Sequence, residues 1–172
     1  MTRFSILFVL LISSTFWVYV TQWGQRWMAE PVTSFVAAIS SHIMVMFDPN
    51  VISQGIIILD RTTGYGVQVV AGCNGMEAVL ILFAALFAFP STWKQKFIGF
   101  AAGFIAIHAL NVVRIISLFY IGQWDYNWFE WFHLYLWQAL IILDALVVWL
   151  LWLRWINKAK RDKAQALTAI PT

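Results

Sequence analysis

The sequence predicts an all-α polytopic membrane protein with about four transmembrane helices, an interfacial helix and a small extracytoplasmic β-hairpin. Composition predicts it first: 62% of the 172 residues are hydrophobic and 11% are charged, where soluble domains carry roughly a quarter charged residues. Patterning predicts it next, because four apolar runs approach the roughly 20 helical residues needed to cross a hydrocarbon core. Finally, 17% of the residues are aromatic, 11 of them Trp, which suits rings placed at membrane–water interfaces. A soluble enzyme is excluded. No internal repeat or basic nucleic-acid patch appears, and the net charge of +3 matters less than its placement.

The chain reads as one membrane-embedded domain over 1–172. Residues 4–20 follow a single basic residue, Arg3, and form an apolar run without a small-x-small cleavage pattern, which predicts an uncleaved signal anchor. Residues 32–47 place Phe35, Ile39, Ile43 and Met46 at helical spacing around Ser40, Ser41 and His42, so an amphipathic interfacial helix is expected. Charge counting does not decide whether this segment lies on the membrane or spans it. In 51–70 the β-branched runs Ile56–Ile58 and Val67–Val70 flank Asp60-Arg61-Thr62-Thr63-Gly64, the pattern of an extracytoplasmic hairpin.

A three-helix core follows over 73–153, with spans at 73–89, 97–121 and 133–153, and then a cytoplasmic tail at 154–172. Lys94 and Lys96 lie in the short second connection, and Arg154, Lys158, Lys160, Arg161 and Lys163 in the tail. The positive-inside rule puts both in the cytoplasm, and Cys73 and His133 at the outer face. The basic tail is also suited to contact anionic membrane lipid.

Ionisable residues inside spans are costly and point to function. At about 1.5 Å per residue, Glu77 and Arg114 lie roughly 6 and 10 Å below the outer helix ends, near Cys73 and His133. His108 and Asp144 lie deeper, and could pair with one another. Cys73 is the chain's one cysteine, so disulfide, CxxC and multi-cysteine metal chemistry are excluded; a packed small hydrophobe or a reactive thiol remains. Read as opening a helix above Arg114, with Gly72 and Gly75 allowing close backbone approach, Cys73 has two features that lower a thiol pKa. His133 is the histidine at the same level, able to move protons near neutral pH or simply to sit at the interface. Glu77 is the natural ion-pair partner of Arg114, and Gly99-x-x-x-Gly103 permits tight helix packing.

The run Ala71-Gly72-Cys73-Asn74-Gly75, then Asn111-Val-Val-Arg114, then His133 resembles the exosortase/archaeosortase family of membrane-embedded cysteine transpeptidases. The likeness runs from about Val67 to Leu153. In size, and in the run Ala-Gly-Cys-Asn-Gly-Met-Glu, it is most similar to the compact exosortase H subgroup. Asn74 stands where many members carry Ser, and the chain is shorter than the many-span members.

The resemblance implies Cys73 as nucleophile, Arg114 as oxyanion stabiliser and His133 as acid–base group, supported by Asn74, Glu77 and Asn111, with neither metal nor cofactor. It implies a multi-pass protein of the bacterial cytoplasmic (inner) membrane, with its site facing outward. The partners implied are exported proteins bearing a C-terminal motif, a transmembrane helix and a basic tail; the acceptor nucleophile is not specified. Strand addition to the 51–70 hairpin would place Tyr65 and Gln68 in substrate binding. The rival readings are a small proton-coupled transporter relaying through Glu77, His108, Arg114 and Asp144, and a non-catalytic membrane scaffold.

Overall fold

The computed structural model describes residues 2–168; residues 169–172, the end of the expected tail, lie outside the described residues. Helix α1 covers Thr2–Val20 and α2 covers Gln22–Val45. Three strands follow, β1 Val51–Gln54, β2 Ile57–Asp60 and β3 Gly66–Gln68. Then come α3 (Met76–Ala88), α4 (Trp93–Trp124) and α5, which runs from Tyr126 to Thr168 through a π-helical turn at Phe132–Leu136. By length and composition, α1, α2, α4 and the Tyr126–Asp162 stretch of α5 can each cross a membrane. The protein is a multi-pass membrane protein.

The expected span 73–89 is shorter than predicted at both ends. Gly72 and Gly75 take left-handed φ angles of 87° and 79°, so the chain turns through Ala71–Gly75 and the helix starts at Met76. At the other end Phe89 is extended (φ −76°, ψ 137°), as the residue before a proline prefers to be. Thirteen residues reach about 20 Å, short of the roughly 30 Å hydrocarbon core.

This short helix is nevertheless the centre of the bundle. Ala78, Val79, Leu82 and Leu86 pack with Ile107 of α4 and with Ala145, Trp152 and Ile156 of α5, while Met76 and Leu80 pack with Tyr19 of α1. Its alanines let three neighbours approach closely, the way packing is achieved where lipid supplies no hydrophobic drive. The Gly99 and Gly103 pair does the same on α4: a Cβ on Gly103 would meet Leu82 and Val148, and one on Gly99 would meet the Trp152 indole. Lys96 donates to the Phe87 carbonyl at 2.8 Å, satisfying an orphan acceptor at the end of α3.

The expected interfacial helix 32–47 begins earlier than predicted. Pro31 does not start it, because the helix passes that residue after a π turn at Gln25–Ala29 in which the Glu30 N–H bonds back to Gln25. Met28 sits with Leu80, Thr33 contacts Asn74, and Phe47 just beyond the helix stacks near Tyr120. So α2 rises beside the last turns of α4 towards the sheet.

The hairpin expected over 51–70 is present as β2–β3, with Ile58 opposite Val67. It carries an additional antiparallel strand, β1, giving the order β1-β2-β3. Val51, Ile58 and Val69 face inward and pack on Val36 and Met44 of α2 and on Phe119 of α4. Asp60 fixes the sheet to the bundle: its Oδ1 accepts from the Thr62 N–H at 2.7 Å, and its Oδ2 from the Gln123 side chain at 3.2 Å. The Thr62 N–H holds this carboxyl below the usual range.

Candidate active site

The turn after β3 sets the position of Cys73. Its N–H donates to the Val70 carbonyl at 2.9 Å, and the next residue, Asn74, is fully buried. Because Cys73 precedes the helix instead of opening it, Cys73 and Glu77 do not share a helical face. The N–H of Met76 donates to Asn74 Oδ1 at 3.0 Å, so neither it nor the Cys73 N–H is free to bind a substrate oxygen. Burial pushes the Cys73 thiol above its ordinary range; Arg114 pulls it down without cancelling that rise, and Glu77 adds to it.

Arg114 projects from α4 ten residues before its end at Trp124, about 15 Å along the helix. It is 1% exposed, and its Nη2 lies 3.8 Å from Cys73 Sγ. Among the described residues Nε and Nη1 have no partner. The expected ion pair with Glu77 does not form, since Glu77 Oε1 accepts instead from the Tyr19 hydroxyl at 3.1 Å. A buried cation without a counterion is expensive. Here it faces the sulfur.

His133 comes from the opposite wall. It lies in the π turn of α5, a local widening of the helix often found at functional sites, and its ring stacks on Phe129 at 5.6 Å and 3°. Nε2 lies 3.9 Å from Cys73 Sγ, and Nδ1 has no partner among the described residues. Two side chains, 41 and 60 positions from the cysteine in sequence, thus meet at its sulfur.

A cavity of about 40 Å³ lies among them, lined also by Val67, Gln68 and Leu118. That volume is the size of a water or two. Of the two residues expected to meet substrate, Gln68 lines this cavity and Tyr65 does not; the Tyr65 ring packs edge-on against Phe119 at 5.6 Å. Asn111 is 2% exposed with both side-chain polar atoms unpartnered among the described residues, and would touch a Cβ on Gly75. His108 and Asp144 do not pair as expected: among the described residues both His108 ring nitrogens lack partners, and the ring sits against Phe104 at 4.3 Å. Among the described residues no group of three metal-ligating side chains occurs.

The family model described as transmembrane exosortase matches residues 1–148. The chain belongs to the transmembrane exosortase family. No curated protein and no solved structure matches it. Exosortases are generally cysteine transpeptidases that act on exported proteins carrying sorting signals. In this exosortase, sequence reading missed Tyr19, Thr33 and Phe129. Tyr19 and Thr33 come from helices distant in sequence, and only their contacts with Asn74 and Glu77 reveal them. Phe129 carried a signal, since it stands four residues before His133, the spacing at which helical side chains meet.

Proposed function

We propose that this exosortase cleaves the C-terminal sorting signal of exported proteins through a thioester on Cys73 and transfers the exported part to an acceptor. The observation that carries this reading is the convergence of Arg114 Nη2 and His133 Nε2 on Cys73 Sγ, at 3.8 and 3.9 Å. Such distances in the absence of substrate are long, as catalytic hydrogen bonds often are before they tighten around the reactant.

The raised thiol pKa favours proton transfer during attack over a standing thiolate. His133 Nε2 takes the Cys73 proton as sulfur bonds to the peptide carbonyl carbon, and negative charge gathers on the carbonyl oxygen. Arg114, with two unpartnered nitrogens, donates to that oxygen. One such donor in a water-excluded site is worth roughly 3 to 4 kcal/mol of barrier. The C–N bond breaks as the imidazolium protonates the leaving amine, leaving a thioester. An acceptor nucleophile then attacks this carbonyl while His133 removes its proton, and the second tetrahedral intermediate collapses to release the thiol.

Charge placement supports an outward-facing site in a bacterial cytoplasmic membrane. Lys94 and Lys96 in the first turn of α4, and the basic residues ending α5, share one end of the bundle, and the sheet and Cys73 lie towards the other. Among the described residues the far edge of β3 has no strand partner, so an extended substrate segment can add there beside Gln68. Seating it requires β3 and the Phe129–His133 turn to separate.

The test is processing of a co-expressed tripartite substrate. Cys73→Ala, Arg114→Ala and His133→Ala should each abolish cleavage while the protein remains in the membrane. Full processing by any of them removes that residue from the site.

A further inference from the structure

We infer that Tyr19 and Thr33, on the two N-terminal helices, are positioning residues that hold the nucleophile turn through Asn74. The juxtaposition rests on the proposed role of Cys73, the residue next to Asn74, and extends it to helices that contribute no group to the sulfur itself.

The hydrogen bonds around Asn74 have a definite direction. Its Oδ1 accepts from the Met76 N–H at 3.0 Å, which identifies the oxygen and leaves the amide nitrogen facing the N-terminal helices. That nitrogen donates to Thr33 Oγ1 at 3.0 Å, and the Tyr19 hydroxyl lies 3.5 Å from both the nitrogen and Oδ1. Thr33 spends its own proton on the Ala29 carbonyl at 2.6 Å, so towards Asn74 its oxygen is an acceptor. Tyr19 sends its proton to Glu77 Oε1 at 3.1 Å, nearer than Asn74 Oδ1 at 3.5 Å, so towards Asn74 its oxygen accepts. Asn74, Tyr19 and Thr33 are each at most 3% exposed, and a side-chain network satisfied in a low-dielectric setting is stiff and specific.

The consequence falls on Cys73. On one side its N–H is tied to Val70; on the other, Asn74 is clamped between α1, α2 and the first amide of α3. With both neighbours fixed, Sγ has little freedom relative to Arg114 and His133. Removing the Tyr19 hydroxyl also deprives Glu77 of its hydrogen-bond donor, leaving a carboxylate close enough to raise the thiol pKa.

The experiment uses the full-length protein in membranes. Processing kinetics are measured for Tyr19→Phe, Thr33→Val and Thr33→Ser, together with the pH profile of Cys73 alkylation by iodoacetamide. Tyr19→Phe and Thr33→Val should lower kcat about ten- to a hundredfold with KM nearly unchanged, the scale of a small misplacement of a catalytic group. Both should shift the alkylation profile, and Thr33→Ser, which keeps the acceptor oxygen, should restore both readouts. Lower protein yield with wild-type kcat per molecule and an unshifted profile would overturn the inference. The alkylation profile needs no substrate. A shifted profile in an enzyme whose Cys73→Ala form still processes substrate would therefore count against the catalytic role of Cys73 and leave the clamp intact.

Discussion

Arg114 Nη2 stands 3.8 Å from Cys73 Sγ, and among the described residues that sulfur is the guanidinium's one hydrogen-bonding partner. A fork with two idle nitrogens can bind a developing oxyanion without first giving up a carboxylate. Lysine cannot copy this, because a point charge lacks the planar, two-pronged geometry. Arg114→Lys should therefore process substrate at least about a hundredfold more slowly than the parent, the loss seen when one oxyanion donor is removed. Initial rates at equal membrane abundance check this, and a rate within a few fold of the parent would show that charge alone suffices.

The thiol gives a prediction in pH. Its folded-state pKa is raised, with burial the main cause, so the neutral thiol persists while a free thiol, near pKa 8.5, is already ionising. Alkylation of Cys73 should rise with a midpoint above that of a free thiol, and Arg114→Ala should move it higher by removing the downward pull. The linked stability has the same sign: the contribution is complete below the unfolded-state pKa and is lost as pH climbs through the folded-state value. A midpoint at or below that of a free thiol would show a standing thiolate.

Gly122 near the end of α4 offers a packing test. A Cβ there would collide with the Tyr65 hydroxyl and come within 3.1 Å of Phe129, so one methyl group presses on both the β2–β3 turn and the residue that stacks on His133. Gly122→Ala should destabilise the protein by about 1 to 3 kcal/mol and reduce processing. Tyr65→Phe should relieve part of the loss, and thermal unfolding of the single and double variants measures the coupling. Additive effects would separate Tyr65 from this contact.

Gln68 and the open edge of β3 predict where specificity resides. Replacing residues 51–70 with those of an exosortase of different motif preference should change which substrates are cut, leaving the Cys73 alkylation rate near normal. Competition between two tagged substrates measures the shift. If preference stays with the parent, recognition lies elsewhere.

Much of this arrangement was legible in the sequence because polar groups are rare in an apolar chain. Arg114 and His133 stood out as ionisable residues in or beside spans and Cys73 as the one cysteine, and the Lys/Arg distribution predicts a common end for them. What hydropathy could not show was backbone direction. A Gly-Cys-Asn-Gly run averages as the start of an apolar helix, yet two left-handed glycines make it a turn, which removes the helix-terminal activation of Cys73. The segment 32–47 likewise read as a separate helix, and the π turn at Gln25–Ala29 carries the preceding helix into it. Matched depth suggested the Glu77–Arg114 and His108–Asp144 pairs, but depth fixes height and not azimuth: Glu77 turns to Tyr19 and His108 to Phe104. The strand β1 escaped notice because Gly55-Ile56 is a turn of two residues inside an otherwise β-branched stretch.

The thioester is the central claim, and hydroxylamine tests it directly. A thioester on Cys73 is open to this small nucleophile, which would convert the carbonyl to a hydroxamate at the new C-terminus of the exported protein. Mass spectrometry of that terminus, after processing in hydroxylamine, is the measurement. The account predicts a hydroxamate that rises with hydroxylamine concentration at the expense of the normal product and is absent with Cys73→Ala. A free carboxylate as the product at every hydroxylamine concentration, formed at the parent rate, would contradict it.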